Sequence, residues 1–426
     1  MTHFIVLCFS HYGGMFCTIA FTFALARLLC PSDFGAVATL LFFFDFFNWA
    51  TEWGWEQGLM ANREAPLSRA ASTHLWIRIV TGFLPLLVIG LFFPLVVKMI
   101  PPHRMTLLSI LCLAYFFEKM SLTYRTVLER TYKLKHLAAF EFSANVFSYT
   151  CAFIAAIFGL GAMSLVIQRL VEKMTMFFGY LWSSPWKFGI EWDLKIAKAS
   201  FKTFGIASWS GGILALVAYT SMIPLISSLV GTHQAGLYSR AFSMGTFPIM
   251  LTAIFQRLTL PIYAHNQFKP DPIRRVFIKA QSYKFILLVI PQAMLAITSY
   301  WWIPIFLGPQ WIEVIPVYQA LAVYGIVRAF YDDVVPVLTY GFKRPWEIAK
   351  NHVVQAVIIV TLGPIAVISM KALGGAIVMS FSMVVVTLIF WRKVFDTIQC
   401  RRKDFILQFA IVFLRARRFV RGHKVW

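Results

Sequence analysis

Charge is what this chain has least of, and acid least of all: 18 of its 426 residues are Asp or Glu, and charged residues of either sign make up 13%. An ordinary soluble domain carries about 25%. With 59% hydrophobic residues and a mean hydropathy of +0.71, the polar side chains are too few to cover a water-facing surface. Cysteines at ligand spacing are missing as well. Cys8, Cys17, Cys30, Cys112, Cys151 and Cys400 are scattered, mostly inside apolar runs, and support neither a disulfide framework nor a zinc site. The nine histidines are isolated, and no GxSxG, HExxH, Gly-rich phosphate loop or Asp-rich metal loop occurs. Nothing therefore marks an enzyme, and no cofactor is called for. Long polar loops are absent too: the longest, around 183–202 and 261–282, fall well short of the ~50 residues a folded soluble domain needs. No small-residue cleavage motif follows a charged leader, so the first apolar run is expected to remain as a span.

What is present is a succession of long apolar runs. A helix needs about 20 predominantly apolar residues to cross a bilayer. By that measure the sequence predicts an all-α polytopic membrane protein with about twelve spans, near 4–26, 36–60, 75–97, 105–127, 137–159, 162–182, 204–228, 236–260, 283–307, 312–340, 348–369 and 373–391. The chain divides near residue 200, inside the loop after the sixth span, into an N-terminal lobe (1–200) and a C-terminal lobe (201–391). A tail (392–426) follows, alternating basic clusters with one short apolar run, and reads as an interfacial amphipathic helix held to anionic lipid. Trp182, Trp186, Trp301, Trp302 and Trp311 fall near span ends, where indole rings favour the headgroup layer.

The net charge of +21 would suggest nucleic acid in a soluble protein. Here it has another explanation, because cytoplasmic loops collect Lys and Arg. Sorted by alternate loops, the basic residues fall heavily on one side, with Arg69, Arg78, Lys187, Lys195, Lys198 and Lys284 among them. Both termini should then be cytoplasmic, and a hinge at Arg27–Val37 should face outward. That hinge, Arg-Leu-Leu-Cys-Pro-Ser-Asp-Phe-Gly-Ala-Val, has a looser copy at Leu229–Tyr238, with Gly35 and Gly236 in register. Two such hinges imply two related halves.

A charged side chain at mid-span costs about 2.5–3.5 kcal/mol on insertion scales, so those inside the spans need a reason. The cations are Lys119, Arg169, Lys173, Arg240 and Arg328; the acids are Asp45, Glu52, Glu56, Glu118, Glu172, Asp332 and Asp333. Arg169 and Lys173, at i and i+4, share a helix face. Two readings stand: internal ion pairs, such as Arg169 with Glu172 or Glu118 with Lys119, that only pin helices together, or an inward cavity whose positive field attracts an anionic head group. Arg328 can meet Asp332 at i, i+4, which leaves Asp333 without an obvious partner; Asp332, Asp333, Glu52 and Glu56 are the candidates for proton or sodium coupling.

The residues also carry a family resemblance. Leu25-Ala-Arg-Leu-Leu-Cys-Pro-Ser-Asp-Phe-Gly35, Leu128-Glu-Arg-Thr-Tyr-Lys-Leu-Lys-His-Leu-Ala-Ala-Phe-Glu141, Gly236-Leu-Tyr-Ser-Arg-Ala241 and Leu307-Gly-Pro-Gln-Trp311 with Pro316 following resemble, in order, motifs of the Wzx-like polysaccharide flippases. These belong to the multidrug/oligosaccharidyl-lipid/polysaccharide exporter superfamily. The resemblance implies two six-helix lobes around a central cavity in the inner membrane. It implies translocation of an undecaprenyl-pyrophosphate-linked oligosaccharide, an O-antigen, capsule or exopolysaccharide unit, beside the glycan polymerase and export machinery. It places Arg27 and Arg240 at motif positions and offers the diphosphate as ligand for the cations. The alternatives are a multidrug exporter of the same superfamily, which would favour acid over base in its cavity, and a membrane-embedded glycosyltransferase or polymerase, which would carry a large outer loop.

Overall fold

In the computed structural model the described residues are 2–61, 65–93, 102–332, 334–344 and 346–400; Asp333 and the tail from 401 onward lie outside them. Among the described residues there is no strand. Side chains this apolar leave the backbone to satisfy its own polar groups, and the helix does so within one segment.

The first half comprises α1 (Thr2–Leu28), α2 (Pro31–Thr51), α3 (Trp55–Ala61), α4 (Leu67–Leu91), α5 (Pro102–Arg130), α6 (Leu134–Ile157), α7 (Ala162–Ser183) and α8 (Leu194–Ser200). A π-turn at Phe201–Gly205 leads into α9 (Ile206–Thr220), α10 (Met222–Val230), α11 (Thr232–Gly245) and α12 (Phe247–His265). Then come α13 (Pro270–Lys284), α14 (Ile290–Ile297), α15 (Ser299–Phe306), α16 (Val314–Tyr331), α17 (Val334–Pro336) and α18 (Trp346–Thr397). Where their residues are described, the expected spans fall largely on helix, although the one over 36–60 breaks between Thr51 and Trp55. Among the described residues seven helical stretches are, by length and composition, long and apolar enough to cross a membrane: Pro31–Thr51, Leu67–Leu91, Arg104–Arg130, Lys135–Ile157, Pro270–Ile297, Val314–Gly341 and Trp346–Thr397.

Some of the remainder are interrupted. The stretch expected as one span over 204–228 turns at Ser221, and that over 236–260 breaks at Thr246. The last of the seven is two helices: Lys371 takes a left-handed conformation (φ 53°), and Glu347 near one end bonds Lys393 near the other. The chain therefore doubles back at Lys371, between the spans expected at 348–369 and 373–391.

The two hinges repeat in three dimensions what their sequences share. α2 begins with Pro31 after an N-cap at Cys30, and Asp33 in its first turn accepts from the Cys30 amide at 3.1 Å, closing a capping box. α11 begins at Thr232 after Gly231, whose φ of +94° favours glycine. Gly35 and Gly236 are each the fifth residue of their helix, and both are buried.

The chain forms two compact units, Met1–Leu216 with Phe306–Gly308 and Val217–Ile305 with Pro309–Trp426. In the first, α5 packs on α4 and α7, α7 on α6, and α6 on α1. Among the described residues its core includes two apolar layers. One gathers Val37, Phe44 and Phe47 with Leu107, Leu111, Tyr115 and Val166; the other gathers Leu59, Leu75, Tyr124, Leu128, Phe177 and Trp186. In the second unit α16 packs on α11 and α18, and α10 on α11 and α18.

Candidate functional site

Between the two apolar layers of the first unit lies a charged one. Along α5 the layers meet at Tyr115 and Tyr124, so the residues between them, Glu118, Lys119 and Thr123, occupy the middle of a buried helix. Along α7 the same gap, between Val166 and Phe177, holds Gln168, Arg169, Glu172 and Lys173. Facing charges across two helices can then meet. Arg169 Nη2 lies 3.2 Å from Glu118 Oε2, and Lys173 Nζ lies 2.9 Å from Glu172 Oε1 and 3.6 Å from Glu118 Oε1. Gln168 donates to Glu172 at 3.0 Å. Asp45 on α2 is within electrostatic reach of both Arg169 and Glu118.

A second node sits where α2 stops. Arg78 on α4, with no side-chain surface exposed, places Nη2 2.9 Å from Glu52 Oε2 and 3.2 Å from Glu56 Oε1. Lys119 Nζ donates to Thr51 Oγ1 at 3.0 Å, and His74 Nδ1 lies 2.8 Å from Thr123 Oγ1. Arg78 is not the loop residue its charge suggested. It lies well inside a helix, because two carboxylates one turn apart compensate a guanidinium that could not be buried alone. The ion pairs formed here join Arg78 to Glu52 and Glu56, and Arg169 and Lys173 to Glu118 and Glu172, while Lys119 binds the Thr51 hydroxyl. These charges are paired internally, and Arg169, at 31% side-chain exposure, keeps an accessible edge.

The second unit has its own cluster, at the end of α16. Arg328 donates from Nη1 to the Tyr324 hydroxyl at 2.8 Å and meets Asp332 at 3.5 Å through the i, i+4 spacing. Its guanidinium carbon lies 3.6 Å from the centre of the Tyr219 ring, a cation–π contact, and Tyr219 reaches His352 at 3.3 Å. Helix ends leave carbonyls without partners. Here side chains from α12 and α13 serve them: Gln256 donates to the Asp332 carbonyl at 2.8 Å, Lys284 to Ala329 at 3.1 Å and Gln281 to Phe330 at 3.5 Å. An ammonium at a helix C-terminus also meets the negative end of its dipole. Lys284 is fully buried, so it too is not the loop residue its charge suggested.

Of the residues singled out from sequence, the structure gathers Glu52, Glu56, Lys119, Arg169 and Lys173 in one unit and Arg328 with Asp332 in the other. Arg27 and Arg240 sit on the hinge helices, Arg27 exposed in the last turn of α1 and Arg240 half-buried on α11. Arg78, Lys284, Tyr219 and His352 were missed. Arg78 and Lys284 had a visible signal, since both fall inside expected spans and no charged residue there should have been assigned to a loop.

A family described as "Polysaccharide biosynthesis protein" matches residues 24–316, well over half of the chain. The chain belongs to this family. Its match begins just before the first hinge, runs through the charged cluster of the first unit and ends at the start of α16, before Arg328 and Asp332. Similar polysaccharide biosynthesis proteins are the lipopolysaccharide biosynthesis protein WzxC of Escherichia coli (strain K12), 23% identical over 310 residues, and the teichuronic acid biosynthesis protein TuaB of Bacillus subtilis (strain 168), 22% identical over 279 residues. The alignments cover 72% and 64% of this chain, but only 62% and 57% of those relatives' own length. Among solved structures, the lipid II flippase MurJ in an inward closed conformation superposes with a TM-score of 0.73, covering 96% of this chain and 93% of that one at 12% identity. An inward-facing multidrug resistance MATE family transporter gives 0.67 at the same identity, covering 90% of this chain and 96% of that one. At such identities the likeness shows the fold alone, an all-α arrangement that both of those proteins share.

Proposed function

We propose that this polysaccharide biosynthesis family member carries a polyprenyl-diphosphate-linked oligosaccharide across the cytoplasmic membrane by alternating access, as a step in surface polysaccharide assembly. The observation that carries the reading is the family match over residues 24–316. It is supported by relatives that include a succinoglycan biosynthesis transport protein, ExoT of Rhizobium meliloti (strain 1021). The chemistry is consistent: a diphosphate needs donors in fixed geometry, and guanidinium groups supply them. Arg169 and Arg328 each keep part of their surface accessible while carboxylates or tyrosines hold them in place. No bond is made or broken in this reading, so no cofactor takes part. Proton or sodium coupling would fall to carboxylates of the same clusters, Glu52 and Glu56 in one unit and Asp332 in the other, or to Asp333, which follows Asp332 in the sequence and lies outside the described residues.

Both termini are then cytoplasmic, the Arg27 hinge lies on the outer face, and the product is released where the glycan polymerase and export machinery works. The test is translocation of a lipid-linked oligosaccharide in proteoliposomes. The wild type is expected to translocate, and Arg169→Ala and Arg328→Ala to lose about tenfold or more, the worth of one charge-assisted hydrogen bond at ~1.5–3 kcal/mol. Full activity in both variants removes the arginines from the site. A wild type that leaves the lipid in place but moves cationic dyes replaces this reading with that of a multidrug exporter.

A further inference from the structure

The break between α2 and α3 is built with more care than a helix end requires. α2 stops at Thr51, Glu52 leaves the helical region (φ −89°, ψ 89°), and Gly54 takes a φ of +71° before α3 starts at Trp55. The carbonyls stranded at the end of α2 are served by two indoles, Trp53 Nε1 to Ala50 at 2.9 Å and Trp55 Nε1 to Thr51 at 3.0 Å. The Lys119 ammonium binds the Thr51 hydroxyl beside them, where the helix dipole favours a cation. Sequence determinants and tertiary partners thus fix a joint at this place, not a frayed end.

Arg78 spans that joint. Glu52 belongs to the end of α2 and Glu56 to the first turn of α3, and one terminal nitrogen of the buried guanidinium holds both. Nε and Nη1 of Arg78 and Oε1 of Glu52 are buried without a hydrogen-bond partner among the described residues. A guanidinium that uses one nitrogen for two carboxylates has other pairings of similar chemistry open to it, which is the property of an element with more than one arrangement. The joint also meets the segment after α8: Trp53 stacks on Phe201 and Trp209 at 5.1 Å, and a β-carbon at Gly54 or Gly58 would overlap Phe204 or Ser200. A change of angle at the joint must therefore move the π-turn at Phe201–Gly205 or be refused by it, because packed side chains do not deform continuously.

We infer that Glu52, Arg78 and Glu56 form a latch that sets the angle between α2 and α3, and that Arg78 is a positioning residue acting through the two carboxylates. The latch acts on the mechanism proposed above but does not depend on what is carried. Its test is the distance distribution between spin labels on the exposed positions Phe46 and Met60, on either side of the joint, in the full-length protein with its native cysteines replaced. Removing Arg78 alone leaves two buried carboxylates uncompensated and invites misfolding. The informative variant is therefore Glu52→Gln/Glu56→Gln/Arg78→Leu, in which all three charges go together, a change buried ion pairs usually tolerate. This triple variant is expected to fold, to broaden or shift the distance distribution relative to wild type, and to lose translocation in proteoliposomes. A distribution matching the wild type overturns the latch, whatever the transport result. A loosened joint in a protein whose wild type translocates no lipid-linked oligosaccharide leaves the latch standing and removes the proposed substrate instead.

Discussion

At the scale of single residues, the chain shows why a charge count along a membrane sequence can mislead. Arg78 and Arg69 are both basic and both precede the middle of the same helix, yet they differ in almost everything else. Arg69 shares a 3.6 Å contact with Glu191, each more than half exposed, while Arg78 is fully buried against two carboxylates. An exposed pair contributes about 0–1 kcal/mol. Removing one partner of a buried pair costs ~3–5 kcal/mol, because the charge left behind stays in low dielectric. Arg78→Gln is therefore expected to lower the thermal unfolding midpoint of the purified protein in detergent substantially, and Arg69→Gln to leave it nearly unchanged. Equal midpoints for the two variants would show that Arg78 is hydrated. The acidic partners were legible in the sequence, since Glu52 and Glu56 stand out in an apolar run; which cation compensates them was not, because Arg78 lies on another helix.

Helical elements were legible where the apolar run was long, and misread where it was long but interrupted. The run 36–60 reads as one span, yet it holds the end of α2, a joint and α3. Gly54 and two tryptophans whose indoles turn back on the helix end made the difference. The run 348–391 behaves oppositely: two spans were expected and two are present, joined by a tight reversal at Lys371. Close approach of helices also depends on residues that sequence alone does not rank. A β-carbon at Gly325 on α16 would overlap the Gly245 carbonyl at the end of α11, backbone against side chain with nothing flexible to yield, whereas one at Gly90 on α4 would meet nothing within 4 Å. Gly325→Ala is accordingly expected to abolish accumulation of folded protein. Gly90→Ala should be tolerated and should gain up to ~1 kcal/mol of helix propensity. Membrane extraction and size-exclusion profiles of the two variants decide; a monodisperse Gly325→Ala would mean that α11 and α16 stand further apart than described.

At the scale of the whole molecule, the proposed orientation rests on the distribution of charge. In a cysteine-free background, Ser32→Cys at the first hinge is expected to react with a membrane-impermeant maleimide in intact cells, and Lys187→Cys only after permeabilisation. The reverse pattern would invert the topology and with it the direction of transport. Class and membership were decided by the sequence itself: the scarcity of charge forces the backbone into helices within a bilayer, and the hinge motifs carry the family's order along the chain. The repeat of the hinge was written there too, as Gly35 and Gly236 at the same position of two helices. What only the tertiary structure decided is how the intramembrane charges pair. Pairing is a property of facing helices, and four of the residues that matter most, Arg78, Glu118, Arg169 and Tyr219, find their partners far away in the chain. Low dielectric makes each of those distances count, so the fold, and not the tally of cations, determines which arginine is fully buried among carboxylates and which keeps an accessible edge.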